Sequence, residues 1–331
     1  MCRSEGSNTL KKNTFKESRF FHYSGLKFIW SKFRPQDERV IPSGPFWAFV
    51  IYTICFFIAS QAYDNRIAII ENRAGSIFPL LALDTRKMAL QEIPHVQNMK
   101  RPFQPKYWNP VGVLLSLIGI QTIHPETVNL LKGPFVSFKT ELAKLDLENV
   151  YLDGTDLNGG NLQEANLRGA HLSRVNFQKI NLFGSDLRGA DLEEGDFQEA
   201  NISAANLTKA SLKKANFHQA ELSEVNMSEA NVSKANLSKA NLQGANLSKT
   251  DLYKSNLKKS DLRGALLQQA DFSLADLQGV DLRGANLREA RNLTCRQIKS
   301  AELIGKDTQF PKYIMITGNA ESGFQCQEKE N

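Results

Sequence analysis

A period of five residues dominates this sequence and limits what its middle part can fold into. From Leu142 to Leu287 every fifth residue is large and apolar, and the repeat reads A-N-L-x-x or A-D-L-x-x, as in Ala235-Asn236-Leu237. Asp or Asn fills 24 of the 29 positions that precede the apolar residue between 146 and 286. A helix would spiral such leucines around its axis, and a straight strand would place them on alternate faces. The chain must therefore turn a corner once in every five residues.

The residue types of the repeat suit such a corner. The small residue and the Leu, two positions apart, point inward, and the Asp or Asn between them points outward. Asn and Asp side chains bond nearby backbone groups and stabilise turns. Ala fills 16 of the 29 positions before the Asp or Asn, because the sides approach closely at the inner corner.

The phenylalanines indicate how many sides close one coil. Phe177, Phe197 and Phe217 occupy the central position of their repeats and are spaced by 20 residues, whereas Phe272 is out of step. This spacing predicts a four-sided coil of 20 residues, about seven coils in all, with a buried column of aromatic rings. The predicted core ladder consists of Phe177, Phe197, Phe217, Leu237 and Leu257.

The tandem A-(D/N)-L-x-x units resemble the pentapeptide repeat family over residues 142–290, close to half of the chain. The resemblance implies a mainly β fold, a right-handed quadrilateral β-helix. Two departures, Leu266-Leu267 without the polar residue and the bulky Ile180 at an inner corner, predict local distortion. Thr294 to Gln297 reads as a capping box and predicts a helix over the last coil, within a C-terminal cap and tail of residues 291–331. The sequence is compatible with a disulfide between Cys295 and Cys326 but does not predict one.

The residues before the solenoid differ in composition. Residues 1–43 carry nine Lys or Arg against four acids, interleaved with aromatics, which fits either a membrane-surface segment or a loosely ordered tail. Residues 44–63 are predicted to form one transmembrane helix, and residues 64–141 a helical membrane-proximal region. Val111–Ile123 is apolar but short, so we interpret it as a packed helix, with a second span as the alternative.

The predicted span rests on 24 uncharged residues between Arg39 and Asp64. Eighteen helical residues would cover about 27 Å, close to the hydrocarbon core of a bilayer. Its named residues are Phe46, Trp47, Phe49, Ile51, Tyr52, Phe56, Phe57 and Tyr63. A buried core helix and a cleaved signal peptide are the alternatives. The excess of cations before the span favours a cytoplasmic N-terminus in a single-pass membrane protein.

The sequence contains no catalytic motif. There is no phosphate-binding, nucleotide-binding, serine-hydrolase or zinc-protease signature, and the four cysteines and five histidines show no metal-ligand spacing. We expect no enzyme activity, no cofactor, no metal, no small-molecule substrate and no nucleic-acid partner. The net charge of +6 does not by itself identify a nucleic-acid binder.

Surface charge carries the remaining functional signal. With 20 residues per coil, lysines form columns on two neighbouring edges. One column is Lys214, Lys234 and Lys254, and the other is Lys239 and Lys259. These columns are either a docking site for an anionic partner or ordinary solubilising side chains. The predicted function is a membrane-anchored scaffold that presents a rigid rod to an unknown protein partner. The alternative, from what the resemblance implies, is a DNA-mimicking protein that protects a topoisomerase such as gyrase; such mimicry needs a continuous acidic surface.

Overall fold

The computed structural model describes residues 44–81, 86–102, 106, 121–123, 125–319 and 323–328. The predicted tail, residues 1–43, lies outside these residues. Two helices open the described chain, α1 (Gly44–Leu81) and α2 (Arg86–Gln97). The chain divides into two units within α1, between Phe57 and Ile58.

Beyond Tyr63, where the predicted span ends, α1 continues for 18 further residues to Leu81 within the region predicted to be helical. Residues 64–81 keep apolar side chains at helical spacing, and Ile70, Ala74 and Ile77 are buried. The charged residues from Asp64 onward therefore lie on a helix whose apolar face, with Ile70, Ala74 and Ile77, is buried.

The structure does not support the predicted transmembrane helix. Among the residues that it describes, no helix combines the length and the apolar character needed to cross a bilayer. The side chains of Phe46 and Trp47 lie outside the described part. The other residues of the predicted span lie in α1: Phe49, Ile51, Tyr52, Phe56, Phe57 and Tyr63. Ile51 and Ile54 are more than half exposed, at 58% and 53%.

Short elements lead from α2 into the solenoid. Strands β1 (Lys100–Pro102) and β2 (Gln121–Ile123) pair antiparallel. The helix expected over Val111–Ile123 is thus wrong in its last three residues, and its first ten lie outside the described residues. The last part of the helical region predicted over residues 64–141 consists of three short pieces, which are α3 (Pro125–Leu130), α4 (Lys132–Ser137) and a 3-10 turn (Lys139–Glu141).

The solenoid has the predicted coil of 20 residues. Parallel bridges join each outward Asp or Asn to the residue 20 positions later, from Asp146↔Asn166 to Asp271↔Arg291, without interruption. Four repeats therefore make one coil, and each coil stacks on the next.

Each corner is a type II turn. The N–H of the small residue donates to the carbonyl of the Leu three positions earlier, as Ala165 does to Leu162 at 3.1 Å. The second x residue has a left-handed backbone, with φ between 54° and 73° from Lys144 to Glu289. Type II turns require this conformation at their third position. Glycine fills only some of these positions, so the stacked coils hold many other residues in a conformation that glycine adopts most easily.

The backbone of the repeat leaves few groups unpaired. The N–H groups of Leu162 and Glu164 donate to the next coil, and the N–H of Asn166, the outward residue of the following repeat, donates to the previous coil. The N–H of the first x residue donates to the outward side chain, as Gln163 does to Asn161 Oδ1 at 3.1 Å. Asn and Asp recur at the outward position because their side chains complete this hydrogen bonding.

The core consists of the inward side chains. The Phe177 and Phe197 ring centroids are 5.2 Å apart, and those of Phe197 and Phe217 are 4.7 Å apart, as the 20-residue spacing predicts. Leu237 and Leu257 continue this column with no exposed surface. Gly195 replaces Ala beside Phe197, because a Cβ there would lie 2.8 Å from the Phe197 ring.

The two expected distortions are absent. Ile180 closes its turn with a 3.2 Å bond to Phe177, and it is buried. Leu266 keeps bridges to Asn246 and Asn286, although its side chain is 40% exposed. The stack therefore tolerates both departures because its backbone ladder does not depend on these side chains.

The C-terminal cap follows the last regular coil. Helix α5 (Cys295–Ser300) begins with the predicted capping box of Thr294 and Gln297, and Ile298 is buried against the core. Strands β3 (Ile314–Asn319) and β4 (Gly323–Glu328) pair antiparallel. A disulfide joins Cys295 of α5 to Cys326 of β4.

Irregular backbone of the cap also covers the exposed edge of the last coil. Gly279, Leu282 and Leu287 donate to the carbonyls of Ser300, Leu303 and Gln309. At the other end of the stack, Asn98, Lys132 and Lys139 donate to carbonyls of the first coil. Both open ends of the β-helix are covered in this way, which an unpaired strand edge requires.

Candidate functional site

The candidate site is one flat side of the solenoid, and we name it the lysine face. It is defined by Lys234, Lys239, Lys254 and Lys259. Each lysine stands at a corner with φ between 54° and 61°, and each side chain is exposed. Lys234 and Lys254 stack along one edge of the face, and Lys239 and Lys259 stack along the other, one coil or about 4.8 Å apart.

A ladder of amides runs between the two edges. Asn256 Nδ2 donates to Asn236 Oδ1 at 3.1 Å, Asn236 donates to Asn216 at 3.0 Å, and Asn216 donates to Asp196 at 2.9 Å. Asn236 Oδ1 also accepts from the hydroxyl of Ser238 at 2.7 Å. These side chains have several bonds each, so the centre of the face is held rigidly.

Lys214, which the sequence groups with these lysines, differs from them because it forms an ion pair. Its Nζ lies 2.5 Å from Glu194 Oε1, one coil away. This hydrogen bond and the attraction between the charges raise the pKa of Lys214 and lower the pKa of Glu194. The column Lys214, Lys234, Lys254 exists, but its first lysine is already neutralised.

The other corner lysines show how such pairs arise. Lysines pair with glutamates 20 residues away in Lys144–Glu164, Lys179–Glu199, Lys209–Glu229, Lys213–Glu193 and Lys214–Glu194. Charges of opposite sign at positions i and i+20 are the signal that sequence reasoning missed. Applied to the sequence, it separates Lys214 from the lysine face.

None of the four lysines of the face forms an ion pair with a described residue. At the same corner of the adjacent coils, the neighbours of Lys234 are Lys214 and Lys254, and the second neighbour of Lys254 is Leu274. The corresponding neighbours of Lys239 are Gln219 and Lys259, and the second neighbour of Lys259 is Gly279. Lys254 Nζ lies 5.1 Å from the ring centroid of Tyr253, which is a cation–π contact. The face therefore presents unneutralised positive charge.

The histidines of the solenoid have structural partners. His171 stacks on Tyr151 with centroids 4.2 Å apart, and His218 Nδ1 lies 2.8 Å from Ser238 Oγ. Burial, and then the nearby Asp153 charge, raise the pKa of Tyr151. Within the described part of the chain, no three His, Cys, Asp or Glu side chains are grouped so that they could hold a metal ion.

Comparison with known families agrees with the geometry of the coil. Residues 215–291 match the model of the pentapeptide repeat region, and residues 140–182 and 180–219 match pentapeptide repeats. Residues 140–291 are thus a pentapeptide-repeat region, which adopts a right-handed β-helix. A comparison with curated proteins found no match.

Several solved structures are similar to the chain. HetL of Nostoc sp. PCC 7120, a pentapeptide repeat protein involved in heterocyst differentiation regulation, is 25% identical, covering 56% of this chain and 94% of HetL with a TM-score of 0.25. QnrB1, a plasmid-mediated fluoroquinolone resistance protein, is 17% identical over 51% of this chain and 88% of its own, with a TM-score of 0.27. Rfr23 of Cyanothece 51142 is 23% identical over 48% of this chain and 90% of its own, with a TM-score of 0.18.

Proposed function

We propose that the protein is a non-enzymatic scaffold whose β-helix presents a flat face to a protein partner. The observation that carries this proposal is the lysine face, where four exposed cations have no acidic partner among the described residues although most other corner lysines are paired. Like charges stacked along an edge repel each other. A partner that neutralises them gains favourable interactions that the free protein lacks.

The rigidity of the coil supports this function. Its backbone N–H groups are bonded within the stack or to outward Asn and Asp side chains. The outward side chains therefore stand on a scaffold that need not reorder when a partner binds, which lowers the entropic cost of association.

Crosslinking from single positions tests the scaffold function. A photo-reactive amino acid replaces Ser238, on the lysine face, or Thr208, on another side of the coil, in the full-length chain in cells. We expect a discrete protein adduct from position 238 and a weaker or absent one from position 208. If neither position gives an adduct above the unirradiated control, the scaffold function is wrong.

Membrane localisation, with a cytoplasmic N-terminus, stays part of the proposal. It is supported by the exposed Ile51 and Ile54 of α1, since exposed apolar side chains favour a lipid or protein cover. Carbonate extraction tests it: intact protein in the soluble fraction would contradict the anchor. Protease added to spheroplasts tests the orientation, because a cytoplasmic N-terminus predicts that the rod is digested from outside.

The alternative, a DNA mimic that protects gyrase, stays a prediction. The lysine face counts against it, because such a mimic needs a continuous acidic surface. A supercoiling assay with gyrase and a fluoroquinolone decides between the two. Protection of gyrase by the purified protein would favour the alternative.

A further inference from the structure

We propose that the lysine face binds a short acidic segment of a protein, and not an extended polyanion. This inference rests on the scaffold function and specifies its partner. The reasons lie in the positions of the acidic side chains around the face.

Acidic residues stand at both ends of the central column. The column runs Asp196, Asn216, Asn236, Asn256 and Asp276, so four coil spacings, roughly 19 Å, separate its two carboxylates. Glu194 and Glu199 likewise lie two coils before Lys234 and Lys239 on the two edges, and each is already neutralised, by Lys214 and by Lys179. Asp276 is paired with Lys258, whose Nζ lies 3.2 Å from Asp276 Oδ2. An anion that followed the rod axis beyond this window would therefore reach neutralised pairs and the Asp196 carboxylate, and no further unpaired lysine on either edge of the described solenoid.

Acidic residues also flank the face sideways. Asp251 lies on the neighbouring side next to Lys254, and Asp261 lies on the opposite neighbouring side next to Lys259. Asp261 is held by Arg263, whose Nε donates to it at 2.9 Å. The four lysines of the face are thus bounded on each side by an aspartate, which separates them from Lys249 at the next corner, and they cover about two coils, a size that matches a few clustered carboxylates.

The type of cation fits the same partner. Lysine is a flexible point charge that adapts to carboxylates at several positions, whereas arginine is favoured where phosphate is bound bidentately. The face has four lysines at its corners and no arginine. A nucleic-acid duplex would require a longer basic surface, because its affinity comes from many phosphate contacts along the backbone.

Charge removal can test the face without disturbing the coil. Glutamine already occupies the same corner position at Gln219 and Gln269, with φ of 58° and 60°. The test variant is K234Q/K239Q/K254Q. The matched control, K144Q/K209Q/K249Q, changes three lysines at the same repeat position, with φ of 62°, 60° and 61°, and gives the same net charge without stacking like charges.

The experiment measures fluorescence anisotropy of a labelled hexaglutamate peptide with the full-length chain at low salt. We expect the test variant to weaken peptide binding at least tenfold and the control to change it less than twofold. Equal binding by parent and test variant, or no binding by the parent, would overturn the proposal. Circular dichroism confirms that both variants keep the β-helix.

A labelled 30-base-pair DNA duplex serves as the second probe. We expect the duplex to bind the parent and the test variant equally weakly. Tight duplex binding that the test variant abolishes would overturn the proposal in favour of an extended polyanion. A crosslinked adduct from position 238 that persists in the test variant would leave the scaffold function intact while contradicting this inference.

Discussion

The side-chain amide of Gln97 pairs with both backbone groups of Tyr151. Its Nε2 donates to the Tyr151 carbonyl at 3.1 Å, and its Oε1 accepts from the Tyr151 N–H at 2.9 Å. Gln97 lies at the end of α2 and is 1% exposed. One side chain thus takes the place that a strand of a preceding coil would occupy, and it covers the first edge of the β-helix.

Replacing Gln97 by Leu should destabilise the N-terminal end of the solenoid. The change keeps the volume similar but leaves the Tyr151 N–H and carbonyl without this partner, at a cost of about 2–3 kcal/mol. Urea unfolding followed by circular dichroism measures the loss. Gln91→Leu, on the more exposed part of the same helix, is the control, and an equal effect of both variants would contradict the capping role.

Truncating the aromatic column should be far more damaging than truncating an exposed ring. Phe197→Ala removes a fully buried ring between two others and should cost about 3–5 kcal/mol. Phe183→Ala removes a ring that is 41% exposed on an outward position and should change stability by less than about 1 kcal/mol. Thermal melts of the pair provide the measurement; similar shifts would disprove the inward assignment.

Leu266 is a position where the protein can be stabilised. Its side chain cannot accept the turn bond from the first x residue that Asn246 Oδ1 accepts from Ser248 at 3.1 Å. Leu266→Asn should therefore add roughly 0.5–1 kcal/mol to the free energy of unfolding. Asn246→Leu, in the same column, should lower it by a similar amount. If Leu266→Asn is destabilising, the exposed Leu has a packing role that the turn argument misses.

The disulfide should stabilise the C-terminal cap. Cys295 and Cys326 are 31 residues apart, and a loop of this length corresponds to about 3–4 kcal/mol of lost entropy in the unfolded chain. The variant C295S/C326S should melt at a lower temperature than the oxidised parent. Dithiothreitol should lower the melting temperature of the parent to that of the variant and leave the variant unchanged; an unaffected parent would show that the bridge contributes little.

Acid should weaken the solenoid through its Asp–Arg pairs. The hydrogen bonds from Arg283 lower the pKa of Asp281, and those from Arg263 lower the pKa of Asp261. Their stabilising effect is complete above the ordinary aspartate pKa of about 4, and it is lost as pH falls through the lower folded values. Urea midpoints between pH 6 and pH 2.5 should fall less steeply in D261N/D281N than in the parent. Identical slopes would contradict this assignment.

The repeat itself could be predicted from the sequence because its information is local. A period of five with one small and one large apolar residue determines which side chains point inward, and Asn or Asp beside a turn determines how the corner closes. Three phenylalanines spaced by 20 were enough to give the coil size. The capping box of Thr294 and Gln297 was equally readable, since its residues lie three positions apart.

Only the tertiary structure decided how the two ends of the solenoid are covered. The pair of Glu194 and Lys214 follows from the 20-residue coil, which places residues 20 apart side by side, and it separates Lys214 from the four lysines of the face. Gln97 reaches Tyr151 of the first coil, and Cys295 reaches Cys326 within the cap; Gln97 and both cysteines lie in segments that have no period. Local patterns specify a repeating backbone, but contacts between distant, non-repeating segments depend on where the whole chain folds, so no local pattern could give them.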